Sequence, residues 1–249
     1  MIEEPFADGS SVIHRTDPRF RVMAATVLSI VIALSSEFTA LLFSIGISLG
    51  LIIVANLNIR KVAGRLAVVS GFLVLLWLVL PVTHQGTTRY TVGPLNVTHE
   101  GILLAAQITL KSLSILALLI SLIATMTVAT LGSALNSLGV PGKFTQLLMV
   151  SYRYIFVIEQ EYQRLMRAVR IRGFQPGTNL HTYRTYAYLA GMLFVRASMR
   201  AQRVYQAMLC RGFHGRYISL HRFSYGSQNQ FFAVFMFLVF TIIVYLEWI

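Results

Sequence analysis

The chain has 249 residues, of which 56% are hydrophobic and 12% charged, and its formal net charge is +12. This composition is far more apolar than that of a soluble domain and favours a protein of the lipid bilayer. The single cysteine, Cys210, excludes an intramolecular disulfide and a cysteine-rich metal site.

Five apolar segments are long enough, or nearly so, to cross a hydrocarbon core that requires about 20 helical residues. They are Val22 to Ser36, Phe38 to Asn56, Leu66 to Val82, Gly101 to Val128 and Phe231 to Ile249. Ser35-Ser36-Glu37 predicts a tight turn between the first two. Because the residues before Val22 have no apolar core, we expect no cleavable signal peptide, and the first span directs insertion. The pattern predicts an all-α polytopic membrane protein.

Basic residues are distributed unevenly between the loops, which predicts the orientation by the positive-inside rule. They precede the first span and follow the second: Arg15, Arg19, Arg21, Arg60, Lys61 and Arg65. The segment from Ala129 to Gln228 carries Lys143 and twelve arginines against two glutamates, and is expected to be cytoplasmic. Five spans then give a cytoplasmic N-terminus and an external C-terminus.

Two amphipathic helices are predicted in this basic segment. Apolar positions between Lys143 and Gly173 recur at helical spacing: Leu148, Tyr152, Ile155, Tyr162, Met166 and Val169. A second helix is predicted from about Tyr186 to Arg211, with Arg196, Arg200 and Arg203 along one side. Gln175-Pro176-Gly177 and His214-Gly215 provide stop signals.

Each predicted helix closes with an arginine-glycine turn, Ile171-Arg172-Gly173-Phe174 and Cys210-Arg211-Gly212-Phe213. Simple helix termination explains one such pair, because glycine adopts the left-handed conformation and arginine complements the helix dipole. The duplication after two basic helices favours a docking surface. A guanidinium at an exposed helix end can donate several fixed hydrogen bonds to carbonyls or carboxylates of another protein.

These turns resemble the paired Ala-Arg-Gly signatures of the transmembrane coupling (T) component of energy-coupling-factor (ECF) transporters, most closely the CbiQ-type subunit of cobalt and nickel importers. The resemblance covers most of the chain and includes two further stretches. His14-Arg15-Thr16-Asp17-Pro18-Arg19 is similar to its His-x-x-Asp-Pro-Arg pattern, and Leu138-Gly139-Val140-Pro141, followed by Tyr152-Arg153-Tyr154, is similar to its run into the first coupling helix. Ile171 and Cys210 stand where the family usually has alanine.

The resemblance implies a non-catalytic subunit that links two copies of a cytoplasmic ABC-type ATPase to a CbiM-type substrate-binding membrane subunit. ATP and magnesium are then bound by the ATPases, with no cofactor in this chain. ATPase docking is assigned to two triplets: Ile171, Arg172, Gly173, Cys210, Arg211 and Gly212. The expected regions are 1–128 with four spans, 129–228 with the coupling helices and 229–249 with the last span. The expected location is the bacterial cytoplasmic (inner) membrane, and a vitamin importer sharing this subunit is the alternative.

The residues give little support for nucleotide hydrolysis, metal binding or catalysis by this chain. Gly139-Val140-Pro141-Gly142-Lys143-Phe144 fails as a phosphate-binding loop in its glycine spacing, and phenylalanine replaces the hydroxyl that magnesium needs. Histidines are scattered along the chain, so we assign no metal ligand: His14, His84, His99, His181, His214 and His221. Glu159 and Glu161 point in different directions on a helix, and no catalytic residue is assigned.

An independent secondary transporter or channel is the rival from another class. Such proteins place ionisable groups within their spans, and Lys111 in the fourth span is the one clear candidate. The basic segment with interleaved tyrosines also suggests nucleic acid, but anionic lipid headgroups explain it more simply, at ~1 kcal/mol per basic residue. We therefore expect membrane lipids as partners and no nucleic acid.

Overall fold

The computed structural model describes residues 6, 9, 11–83, 88–92, 95–215 and 227–248. The described residues are mainly helical, which confirms the predicted all-α class, with one short β-hairpin in addition. The elements are α1 Val12–Arg15, α2 Pro18–Leu34, α3 Phe38–Val54, α4 Ile59–Thr83, β1 Thr88–Val92, β2 Leu95–Thr98, α5 His99–Leu122, α6 Val128–Ser137, α7 Gly142–Ile171, α8 Leu180–Cys210 and α9 Ser227–Glu247.

The chain divides into two compact units. The first, here the membrane unit, comprises Glu4–Ala134 and Phe223–Ile249. The second, here the coupling unit, comprises Met1–Glu3 and Leu135–Arg222, and contains α7 and α8. In sequence, the helical part of the coupling unit is therefore an insertion between α5 and α9.

Three helices of the described residues are long and apolar enough to cross a membrane: Ile59–Thr83, His99–Leu122 and Asn229–Glu247. Helix α3 is also apolar but shorter, and α2 has 17 residues. Large apolar side chains of α4 are exposed, among them Val68, Phe72, Val74 and Leu78. Exposed apolar residues along a whole helix face fit a hydrocarbon solvent, because lipid tails do not penalise them as water does.

Helix α5 lies at the centre of the membrane unit and packs against α2, α3 and α4, while α9 packs against α2 and α3. Small residues allow close helix packing: Ala25 and Ala40 are fully buried, as is Ser48. The main apolar core is built from four of these helices and α1 and includes Ile13, Leu28, Ile32, Leu41, Leu118, Leu122, Val239 and Ile243. This packing fixes the ends of α2, α5 and α9 relative to one another.

Several element boundaries differ from the sequence prediction. The fourth apolar segment was expected to continue to Val128, but α5 ends at Leu122 and a separate helix, α6, begins at Val128. The helix of the third apolar segment, α4, begins at Ile59, so the basic residues after Asn58 belong to its first turns. The antiparallel hairpin β1–β2 was not predicted. Apolar content alone locates a span but does not fix where its helix starts and stops.

The predicted turn at Ser35-Ser36-Glu37 is confirmed, and polar groups from two other helices hold it. Glu247 accepts hydrogen bonds from the Ser36 amide at 2.7 Å and the Ser36 hydroxyl at 2.9 Å. Lys111 donates to the Ala33 carbonyl at 3.0 Å, at the C-terminal end of α2. A cation is favourable there because the last carbonyls of a helix are unsatisfied and carry partial negative charge. Lys111 is thereby explained as a helix-end donor.

Candidate functional site

The coupling unit is built on two long helices whose starts have local causes. Helix α7 follows Pro141, which cannot continue a preceding helix and sits at the N-cap. Helix α8 begins at Leu180, six residues before the predicted start at Tyr186, because the Asn179 side chain caps it by accepting from the Thr182 amide at 2.8 Å. The Asn179-x-x-Thr182 pattern was the signal that the sequence prediction missed.

The two helices contact each other through a small apolar cluster. Leu165, Met166 and Leu189 are buried, and Val169 and Leu193 pack against them. Of the predicted α7 stripe, Met166 and Val169 join this contact, whereas Ile155 and Tyr162 are exposed. Many large apolar side chains of both helices are exposed among the residues that the structure describes.

Glu161 links α7 to α8 electrostatically, a role that the sequence did not reveal. Its carboxylate accepts a hydrogen bond from Arg196 of α8 and lies 3.7 Å from Arg164 of α7. The hydrogen bond from Arg196, with the positive charges of Arg164 and Arg200, lowers the pKa of Glu161. No local pattern indicates this pairing, because its partners are on different helices.

The first arginine-glycine turn ends α7 as predicted. Gly173 has a φ of 84°, in the left-handed region that glycine adopts without steric cost. Its amide donates to the Arg170 carbonyl at 3.0 Å, and the Phe174 amide donates to the Val169 carbonyl at 3.3 Å. This pair of bonds is a Schellman motif, which satisfies carbonyls left open at a helix end.

The second turn repeats the same geometry at the end of α8. Gly212 has a φ of 77°, and its amide donates to the Leu209 carbonyl at 3.0 Å. The Phe213 amide donates to the Met208 carbonyl, also at 3.0 Å. Two helix ends with one sequence pattern thus share one backbone structure.

Both turns place an arginine at the C-cap with its side chain exposed. The C-cap dihedrals are alike, with φ −79° and ψ 11° at Arg172 and φ −92° and ψ 12° at Arg211. Neither guanidinium forms a hydrogen bond or ion pair within the described part of the chain. The preceding residues, Ile171 and Cys210, are also exposed, Ile171 by 86%. Each end therefore offers a cation beside a small apolar contact.

Phe174 anchors the first end against the start of α8, with its ring centroid 6.2 Å from that of His181 and 5.8 Å from that of Tyr186. Arg211 lies at the opposite end of α8. At a rise of ~1.5 Å per residue, the part of α8 from Tyr186 to Arg211 is roughly 37 Å long. The two arginine turns therefore lie at opposite ends of α8.

The His-x-x-Asp-Pro-Arg pattern forms a structural network at the start of α2. Asp17 caps this helix by accepting from the Arg19 amide at 3.0 Å. The ring of His14 bonds to the Ser11 hydroxyl at 2.7 Å and to the Phe6 carbonyl at 2.9 Å. These bonds order the chain before α2.

No group of three or more histidine, cysteine, aspartate or glutamate side chains is close enough to hold a metal ion in the described ranges. His84 and His221 lie outside the described residues. The arrangement that distinguishes the coupling unit is thus its pair of basic helix ends and its exposed apolar helix faces.

The apolar helices and the inserted helix pair define an α-helical integral membrane protein with a separate basic helical unit. The chain belongs to the CbiQ family, described as cobalt transport proteins, whose family model matches residues 9–225. This family is the transmembrane coupling component of ECF transporters, as the resemblance predicted.

Curated relatives cover most of the chain. The energy-coupling factor transporter transmembrane protein EcfT of Thermosediminibacter oceani is 26% identical over 84% of this chain and 83% of its own length. The protein of the same name from Acidaminococcus fermentans is 26% identical over 96% of this chain and 94% of its own. That of Macrococcus caseolyticus is 28% identical over 86% and 85%, respectively.

Proposed function

We propose that this chain is the non-catalytic coupling subunit of an ATP-driven importer, joining two copies of a cytoplasmic ABC-type ATPase to a substrate-binding membrane subunit. The observation that carries the proposal is the pair of matching, exposed arginine ends on α7 and α8. Two equivalent ends suit two equivalent grooves on an ATPase pair. ATP and magnesium are bound by those partners.

The chemistry of each end supports docking to a protein groove. A guanidinium presents five donors in a planar fork that matches backbone carbonyls or carboxylates. Gly173 and Gly212 fix the backbone of the helix ends that carry Arg172 and Arg211. Ile171 and Cys210 add apolar contact beside each arginine.

Coupling follows from the length of the helices. When the ATPases close on ATP, they change the separation of the two docked ends. Because α7 and α8 contact each other at Leu165, Met166 and Leu189, a displacement of one end moves the remainder of its helix about that contact. The substrate-binding subunit packs against exposed apolar side chains of α8 and is displaced with that helix. These side chains include Tyr188, Met192, Val195 and Met199.

Cobalt or nickel is the proposed substrate, supported by the family description of cobalt transport. A vitamin importer with a shared coupling subunit is the second candidate, because the curated relatives bear the general ECF name without any substrate. Co-expression with a candidate CbiM-type subunit, followed by uptake of radioactive cobalt or nickel, separates the two. The proposed location is the bacterial cytoplasmic membrane with a cytoplasmic N-terminus.

The docking assignment is tested by the double variant Arg172→Ala and Arg211→Ala. We expect the double variant to insert normally but to lose co-purification with the ATPases. Either single variant should show weaker co-purification. The matched control replaces two exposed arginines in the bodies of the same helices, Arg167→Ala and Arg203→Ala, and should retain association. Unchanged association of the tip variant, or equal loss in the control, contradicts the assignment.

A further inference from the structure

In sequence, the coupling unit begins within α6, after Ala134, and precedes α9. The long membrane helices that precede and follow the coupling unit in sequence, α5 and α9, both bond to one turn of α2, Asp17 to Arg21, here the anchor turn. The contacts that make up this arrangement are all within the membrane unit. They connect three helices through buried polar groups.

Arg21 makes the first connection. Its side chain is only 1% exposed, and it donates to the Leu122 carbonyl from Nε at 3.1 Å and from an Nη at 2.8 Å. The same side chain donates to the Thr125 hydroxyl, which in turn donates to the Ser121 carbonyl at 2.8 Å. Leu122 is the last residue of α5. Arg21 therefore holds the C-terminal end of α5, the last long membrane helix before the coupling unit in sequence.

A buried arginine is costly unless its charge is compensated. No carboxylate lies within ion-pair distance of Arg21 among the residues that the structure describes. The compensation comes from the C-terminal end of α5, whose carbonyls carry the negative end of the helix dipole. Helix packing alone does not require a charged group at this position, because an apolar side chain fills such a site at lower cost.

Asp17 makes the second connection. Its backbone amide donates to the Asn229 side-chain oxygen at 3.0 Å, and both residues are 6% exposed. Asn229 lies in the first turn of α9. The Arg21 amide bonds to the Asp17 carbonyl at 3.4 Å, so the two connections are one helical turn apart. The anchor turn thus ties the end of α5 and the start of α9 to the same rigid element.

We infer that the anchor turn, with Arg21 as its positioning residue, is the fixed point through which movement of the coupling unit is transmitted to α5 and α9. Without it, the ends of α5 and α9 can fray and absorb a displacement locally. With it, a displacement at either connection moves the membrane helices as packed bodies. The inference rests on the proposed function, because ATPase partners must supply the movement.

The test uses the chain assembled with its ATPases and carrying a fluorinated phenylalanine at exposed Phe231, close to Asn229. Fluorine NMR then reports whether ATP changes the surroundings of the start of α9. We expect an ATP-dependent change of chemical shift in the otherwise native chain, and its loss in Arg21→Met, although the ATPases still co-purify and hydrolyse ATP. Arg21→Lys should keep part of the change, because an ammonium can still donate to the Leu122 carbonyl.

Exposed Arg15 of α1 provides the matched control, since Arg15→Met removes a charge from the same part of the sequence and should respond like the native chain. An equal response in Arg21→Met overturns the inference, as does a native complex without any response. Loss of assembly in both Arg21 variants also overturns it, because the arginine then acts in folding. A native chain that binds no ATPase contradicts the proposed function itself, and this inference with it.

Discussion

At the scale of single residues, Gly173 and Gly212 decide where the two arginines point. Both have a positive φ, and a Cβ added at either would meet open space. Substitution is therefore opposed by backbone strain and not by collision. The arginines that precede them depend on this conformation for their exposed position at the helix end.

Gly173→Ala is expected to destabilise the end of α7 by about 1 kcal/mol, the usual cost of a left-handed conformation for a residue with a Cβ. Hydrogen exchange of the Phe174 amide should accelerate about fivefold, because that amide closes the Schellman motif. Gly191→Ala is the control: it lies within α8 with free space around it, and should stabilise that helix by roughly 0.5 kcal/mol. Equal exchange rates in the two variants would refute the account.

At the scale of elements, α7 and α8 are held together by few contacts. The apolar cluster around Leu165 and Leu189 is small, and Glu161 adds a link to Arg196. A short contact between long helices allows their ends to be displaced without unpacking a large core. The charged link adds a directional contact beside this cluster.

Glu161→Gln should loosen this crossing, measured as faster hydrogen exchange of α8 around Leu189. Glu159→Gln is the matched control, because Glu159 is exposed and accepts only a bond at 3.3 Å from Gln163 of its own helix among the described contacts. Faster exchange in the control alone, or in neither variant, would count against the link.

The same link predicts a pH dependence. The hydrogen bond that Arg196 donates, together with its positive charge, lowers the pKa of Glu161, so the carboxylate contributes its stabilisation above the ordinary glutamate range. That contribution is lost as the pH falls through the lowered pKa. The protection factors of amides around Leu189, which correct for the pH dependence of intrinsic exchange, should therefore fall at acidic pH in the native chain and change less in Glu161→Gln.

At the scale of the whole molecule, the five-span orientation remains a prediction from the positive-inside rule. It assigns Cys210 to the cytoplasm and Trp248 to the exterior. Both residues are exposed, and Cys210 is the chain's only cysteine. The native chain therefore carries a natural probe of its own orientation.

A membrane-impermeant maleimide should label Cys210 only after cells are permeabilised, when the chain is expressed without the proposed ATPase partners. In a Cys210→Ser background, Trp248→Cys should be labelled in intact cells. Labelling of Cys210 in intact cells would invert the orientation and remove the basis for cytoplasmic docking.

The local features of this protein were predictable from the sequence because their causes are local. Apolar segments of sufficient length predicted membrane helices, and arginine followed by glycine predicted two exposed helix ends. The turn at Ser35-Ser36-Glu37 was also predictable. The predicted start of α8 was wrong, because the Asn179 cap was overlooked.

What the tertiary structure alone decided are the pairings between residues distant in the chain. Arg21 had the sequence character of a cytoplasmic charge, but is buried against the end of α5, and Glu247 reaches the turn before α3. Gly101 is required because a Cβ there would lie 2.7 Å from the Leu80 carbonyl oxygen. The sequence by itself determined the helices, the family and the form of the arginine ends. Which helix satisfies which buried polar group depends on packing in three dimensions, and no local spacing encodes that packing.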